Sequence, residues 1–171
     1  MGSIESNTLL FSSEFIDPSV ADSLAPDYAL RALKPADYSA GFLQVLAGLT
    51  TVGTISAETF NRHFEFLLSR PGEYFVLVIE NLLTGKIVAT GTLLVERKFI
   101  HECGRVGHIE DIAVDTNERG KKLGLKIIHA LDYIGQKTGC YKNILDCSPH
   151  NEQFYVKCGY SNDGFEMVKR F

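Results

Sequence analysis

The chain has 171 residues, the length of one domain or of one domain with a tail. Its hydrophobic share of 45% and charged share of 22% are those of a globular protein and argue against a disordered, collagen-like or coiled-coil chain. With 17 basic and 21 acidic residues the formal net charge is −4, which disfavours a nucleic-acid binder and leaves any anionic ligand to a few well-placed cations.

Residues 1–26 are rich in Ser, Asp, Asn and Pro, lack periodicity and read as a mobile lead-in to a domain over 27–171. The start, Met1-Gly2-Ser3-Ile4-Glu5-Ser6, fits the short M-G-x-x-x-[ST] acylation pattern. It has no basic n-region, and no apolar run approaches the ~20 residues that span a bilayer, so no stable membrane insertion is expected. Tyr28–Leu33 reads as a strand, Ala36–Leu49 as a helix with Phe42, Val45, Leu46 and Leu49 on one face, and Gly53 as a break. Ser56 is a good N-cap for a second helix through Ser69. Glu73–Glu80 and Lys86–Lys98 read as a hairpin around Asn81–Gly85, and Arg105–Val114 as a third β-rich run. Lys121–Thr138 is an amphipathic helix with Leu123, Ile127, Leu131 and Ile134 on one stripe and Gly139 as its C-cap. Lys142–Ser148 is a strand, Ser148-Pro149 opens a short helix through Cys158, and an extended segment runs to Phe171. The antiparallel start followed by β-α-β implies an α/β domain with a mixed sheet.

Cys103, Cys140, Cys147 and Cys158 form no C-x-x-C pair, so zinc or disulfide chemistry has little support. They read as free thiols in a reducing, cytoplasmic compartment, with Cys147 and Cys158 as core filler.

Two stretches carry chemistry. In Ile109–Gly124 a strand passes through a polar loop into a helix, with Arg119, Gly120, Lys121, Lys122 and Gly124 at the junction. Unpaired N–H groups at a helix start, glycines that admit close approach and three cations suit a pyrophosphate; the plainer reading is a solvated basic helix end. Neither a Walker loop nor G-x-G-x-x-G is present. In Asp146–Tyr160, Asn151, Phe154, Tyr155, Lys157, Gly159 and Tyr160 sit on a short helix and its exit, where a core aromatic pair with a C-cap glycine is the plainer reading.

Together these stretches resemble the GNAT superfamily of acetyl-CoA-dependent N-acetyltransferases. Its loop pattern R/Q-x-x-G-x-G/A matches at Arg119 and Gly124, with Lys122 in place of the first Gly; its F-Y-x-x-x-G-[FY] pattern matches at Phe154, Tyr155, Gly159 and Tyr160. Five further stretches carry a closer likeness: Leu49–Gly53, Glu96–Glu102, Gly107–Val114, Gly139–Lys142 and Gly164–Arg170. With the Asp146 region they resemble the glucosamine-6-phosphate N-acetyltransferases over roughly residues 28–171.

The resemblance implies a GNAT (acyl-CoA N-acyltransferase) fold, a mixed and mostly antiparallel sheet flanked by helices. It implies acetyl transfer from acetyl-CoA to the amine of glucosamine 6-phosphate, feeding UDP-N-acetylglucosamine synthesis, without a metal. Tyr155 would be the general acid, and Glu110 and Asp146 would lie at the amine. Thr50, Lys98, His101, Glu110, Asp111, Tyr141, Lys142, Asp146 and Arg170 would bind the sugar phosphate. Acetyl-CoA would lie along Ile112, Ala113 and Val114, with its pyrophosphate at Arg119, Gly120, Lys121, Lys122, Leu123, Gly124 and Leu125, and further contacts from Asn151, Tyr155 and Lys157. Strand alternation would send Glu110 and Asp111 to opposite faces, so they would not form a carboxylate dyad. The family builds its sites from both subunits of a homodimer, with the C-terminal strand on the partner, so a homodimer is expected. The alternatives are a GNAT enzyme for another amine and a catalytically silent acyl-CoA-binding module.

Overall fold

The structure is a computed structural model and describes residues 4–171; Gly2 of the acylation pattern lies outside them. Among the described residues five strands form one sheet in chain order: β1 (Tyr28–Ala32), β2 (Tyr74–Asn81), β3 (Lys86–Arg97), β4 (Arg105–Val114) and β5 (Cys140–Ile144). The first four are antiparallel neighbours, and β5 lies parallel to β4. This is the mixed, mostly antiparallel sheet expected from the sequence.

Helices cover both faces. On one face α1 (Pro18–Asp22) and α5 (Leu123–Lys137) pack against Phe75, Leu77, Ile79 and Leu93. On the other, α2 (Phe42–Ala47) and α3 (Ala57–Leu68) pack against Val76, Val78 and Ile87. Burial on both sides explains why Phe75–Ile79 is an unbroken apolar run rather than an alternating one. On α5, Leu123, Ile127, Ile128, Leu131 and Ile134 are all buried, so the periodic stripe is the core face. Ser56 caps α3 by accepting the Thr59 N–H at 3.1 Å.

Four local expectations are corrected. The helix over 36–49 is broken: a 3₁₀ turn, Pro35–Tyr38, stops before Gly41, whose φ of +96° restarts the chain as α2. Over residues 4–26 the expected mobile lead-in is packed on the domain, with Leu10 and Val20 buried and the Phe11 and Phe15 rings each 5.1 Å from Phe75. Its apolar side chains are few, but Val20 joins the core on one face of the sheet and Leu10 the core on the other. An unforeseen turn, α4 (Ile100–Cys103), links β3 to β4, with His101, Glu102 and Cys103 all at positive φ. Residues 161–171 form no strand within the single chain and are exposed throughout.

Inside the sheet one ion cluster is deeply placed. Asp37, fully buried, takes a bidentate bond from Arg31 (2.7 and 2.8 Å) and the Lys34 N–H at 2.9 Å, and Arg31 also reaches Glu80 at 2.7 Å. Every oxygen of Asp37 is thereby satisfied, which a buried carboxylate requires. Among the described residues no helix is long and apolar enough to cross a membrane.

Candidate functional site

The site grows from a divergence between β4 and β5. The two strands pair only between Arg105–His108 and Cys140–Ile144. Beyond His108, the side of β4 facing away from β3 has no strand on it, so backbone groups of Ile112, Ala113 and Val114 are open to an extended amide-bearing ligand. A bulge lies in the same stretch. Asp111 and Ile112 together oppose Gly91, and Asp111 has a φ of +54°. Gly91 is obligatory there, because a Cβ would lie 2.5 Å from Ile112 and from Ile127. The bulge interrupts the strict period-two ladder at Asp111, on which the expectation of opposite faces rests, and Glu110 and Asp111 are both exposed.

At the end of β4 a short 3₁₀ turn, Thr116–Glu118, leads into α5. The α5 N-cap, Lys122, is left-handed (φ +60°) and makes no side-chain cap bond. The first helical N–H groups, from Leu123 to Leu125, therefore keep the positive end of the helix open to an anion. Arg119, Gly120 and Lys122 are exposed around it. Lys121 is also exposed, but its ammonium is held by Glu118 (2.5 Å) and the Tyr28 hydroxyl (2.7 Å). These contacts push the lysine pKa up and the Glu118 pKa down. A Cβ at Gly124 would stand 3.4 Å from Phe154 and 3.5 Å from Val114, ordinary contact, so packing against these neighbours does not require a glycine.

Tyr155 lies on α6 (Glu152–Lys157) and is half-buried. Burial pushes its phenol up from the ordinary value, with the Cys147 and Cys158 thiols adding to the effect. α6 ends in a Schellman arrangement: Gly159 (φ +96°) donates to the Val156 carbonyl, and the Tyr160 N–H donates to the Tyr155 carbonyl, both at 3.0 Å. The Tyr160 hydroxyl then donates to Asp132 at 2.5 Å, and the Asn143 amide donates to the same oxygen at 2.9 Å. This network ties α6 to α5 and β5. Asp132, Asn143, Glu118 and Tyr28 were not singled out from the sequence; the lone acid beside the apolar stripe of α5 was the one local signal, since Tyr28 and Glu118 lie 90 positions apart.

A groove of about 1040 Å³ runs between α5, β5, α6 and the C-terminal tail. Tyr141, Lys142, Asp146 and Tyr155 line it, with Glu166 from the tail. Glu110 faces this acidic surface: although it is exposed, partial desolvation of its carboxyl raises the pKa, and the charges of Asp111, Asp146 and Glu166 add to the rise against an opposing His108. The other expected residues are not gathered in this groove. Lys98 is paired with Glu96 at 2.6 Å, and Glu96 also takes His108 at 2.8 Å. The His101 ring packs on Tyr141, 4.3 Å between centroids. Thr50 is exposed after α2, Arg170 is exposed on the tail, and Asn151 and Lys157 are exposed at the two ends of α6. The cysteine reading holds in part: all four thiols are free, but Cys147 is exposed in the groove rather than packed in the core, because β5 ends at Ile144 and leaves it in a loop.

Residues 30–160 match the family model described as Acetyltransferase (GNAT) family. The chain is 51% identical over 148 residues to the glucosamine 6-phosphate N-acetyltransferase of Candida albicans, covering 86% of this chain and 99% of that one. The crystal structure of the Arabidopsis thaliana glucosamine-6-phosphate N-acetyltransferase superposes with a TM-score of 0.83 at 44% identity, over 84% of this chain and 98% of that one. A Trypanosoma brucei acetyltransferase structure superposes with a TM-score of 0.78 at 34% identity, over 85% and 100%.

Proposed function

This chain belongs to the acetyltransferase (GNAT) family, and on that premise we propose that it transfers acetyl from acetyl-CoA to the 2-amino group of glucosamine 6-phosphate. The observation that carries the substrate is the likeness, over nearly the whole length of both proteins, to enzymes named for that reaction. The product is the N-acetylated sugar phosphate that UDP-N-acetylglucosamine synthesis consumes.

The donor set suits acetyl-CoA. The uncapped start of α5 with Arg119 and Lys122 offers N–H groups and positive charge to a pyrophosphate, and the open side of β4 offers hydrogen bonds to the pantetheine amides. Asn151 and Lys157 on α6 are assigned as further contacts. Bound acetyl-CoA supplies an acetyl group activated as a thioester.

The acceptor amine arrives as an ammonium and must lose a proton. Glu110, with Asp111 and Asp146 close enough to raise its pKa, forms the anionic surface that draws the ammonium in and takes that proton, directly or through water. Tyr155 stays protonated at neutral pH because burial disfavours its phenolate, so it donates to the departing thiolate. Lys142 and Tyr141 lie in the same groove and are assigned to the sugar phosphate with Thr50, Lys98, His101 and Arg170.

Lys142 lines the groove and His101 packs on Tyr141 beside it, while Lys98 and Arg170 do not line it, and we assign the completed site to a homodimer. β5 has a free outer edge, Tyr141 and Ile144 on it are exposed, and the tail presents Phe165 and Met167 at 94% and 91% exposure. An apolar tail beside an unpaired edge strand is the expected form of a segment that pairs with a second copy. Four free thiols suit a cytoplasmic location.

Thiol release from acetyl-CoA tests the reading, run with glucosamine 6-phosphate beside glucosamine and its 1-phosphate. Release with the 6-phosphate well above the other two is expected. Release with a different amine alone would point to another GNAT substrate, and no release with any amine to a silent acyl-CoA-binding module.

A further inference from the structure

The pyrophosphate loop carries an anion where the ligand is an anion. Glu118 sits three residues before Lys121, with its side chain only 13% exposed, and it closes a triangle with Tyr28 and Lys121. The Tyr28 hydroxyl donates to Glu118 Oε2 at 2.6 Å and accepts from Lys121 Nζ at 2.7 Å, while Lys121 Nζ donates to the same Glu118 oxygen at 2.5 Å. The second Glu118 oxygen is 3.5 Å from the Asn81 amide nitrogen. Tyr28 and Asn81 are register partners at the β1–β2 end of the sheet. The loop is thus fastened to rigid backbone through three side chains, while Arg119 and Lys122 stay outside the triangle.

The backbone explains why such a fastening is needed. Gly120 and Lys122 both have positive φ (+84° and +60°), on either side of Lys121. Glycine takes that conformation freely, but in a lysine the Cβ crowds the backbone and disfavours it. A left-handed lysine persists where its surroundings over-determine it. Its conformation sets where the Leu123, Gly124 and Leu125 N–H groups point.

We propose that Tyr28, Glu118 and Lys121 are positioning residues, and that the Lys121 side chain fastens the loop before α5 to the sheet instead of contacting acetyl-CoA. This rests on the reading of acetyl-CoA at that loop. It makes a prediction opposite in sign to simple electrostatics. If the loop acted only through charge, removing Glu118 would free Lys121 and tighten binding of an anion. If the triangle holds the backbone, removing Glu118 loosens it.

Steady-state kinetics of the full chain decide between them. Glu118→Gln and Tyr28→Phe should each raise KM for acetyl-CoA roughly three- to tenfold, the scale of one or two lost hydrogen bonds, with kcat and the KM for glucosamine 6-phosphate within about twofold of wild type. Lys121→Met should do as Glu118→Gln does, and Lys121→Arg should recover most of the affinity. With S-acetylpantetheine, which lacks the pyrophosphate, variant and wild type should have the same KM. A lowered or unchanged KM for acetyl-CoA in Glu118→Gln overturns the proposal, as does an equal effect with S-acetylpantetheine. Absence of thiol release by the wild-type protein would instead defeat the assigned activity; calorimetric CoA affinities of the same variants would then read the loop by the same signs.

Discussion

Tyr155 and Glu110 are shifted in the same direction by the same cause, with opposite consequences for what they do. Burial keeps the Tyr155 phenol neutral, which is the form an acid needs. Tyr155→Phe should lower kcat by about 10²-fold or more while moving KM for either substrate by less than about threefold. An unchanged kcat would remove Tyr155 from the proton path. For Glu110, partial desolvation and neighbouring carboxylates raise the folded-state pKa above the ordinary carboxylate value. The folded chain then binds the proton more tightly than the unfolded chain. The stabilisation is fully present below the ordinary carboxylate value and is lost as pH rises through the raised one. Ionised Glu110 therefore costs stability at neutral pH, and Glu110→Gln should raise the Tm at pH 7 while losing activity. The gain over wild type should disappear near pH 3.5, where both side chains are neutral. Thermal melts at the two pH values check this, and a Tm difference independent of pH would contradict it.

Among the elements, the strand ends show how local rules succeed and where they stop. The helix stripe on α5, the Ser56 cap and the turn glycines follow from side-chain chemistry within a few positions, and each was legible. The bulge at Asp111 was not, because it depends on Gly91 and Ile127 meeting it from β3 and α5. The split of the helix after Pro35 likewise turns on one glycine conformation and on the Ala40 carbonyl pairing with the Ile87 N–H across the chain. The Arg31–Asp37–Glu80 cluster belongs to this scale, since it joins β1 to the 3₁₀ turn after it and to β2. Arg31→Met leaves Asp37 buried without its cation and should cost about 3–5 kcal/mol, the price of stranding a buried charge. Urea unfolding measures it. A loss under about 1 kcal/mol would mean that water reaches Asp37 in the variant.

For the whole molecule the decisive feature is the tail. Residues 161–171 are exposed and apolar at Phe165, Met167 and Val168, and the outer edge of β5 is unpaired. A homodimer formed through this tail should give a mass near twice 19.0 kDa by light scattering. Removing residues 161–171 should give a single-chain mass and lower activity by more than about tenfold, because Arg170 and the pairing segment go together. A full-length monomer with full activity would exclude a shared site. The net charge of −4 leaves any anionic ligand to local groups of cations, and Arg119 and Lys122, both exposed at the loop before α5, form one such group.

The sequence alone determined most of the element types, the basic, glycine-bearing character of the loop before α5, and the tyrosine-bearing helix that follows β5. Each is a local pattern whose physics is complete within one or two turns. Which cation of the loop is free was decided only by the tertiary structure. Arg119, Lys121 and Lys122 are equivalent as a run of charges, and Lys121 is set apart by Tyr28, 93 positions away in the chain. The same holds for Lys98, taken by Glu96, and for Glu110, whose pKa depends on Asp146 and Glu166 arriving from other segments. Charge and hydrogen bonding act over a few ångströms of space, and only folding decides which residues share them.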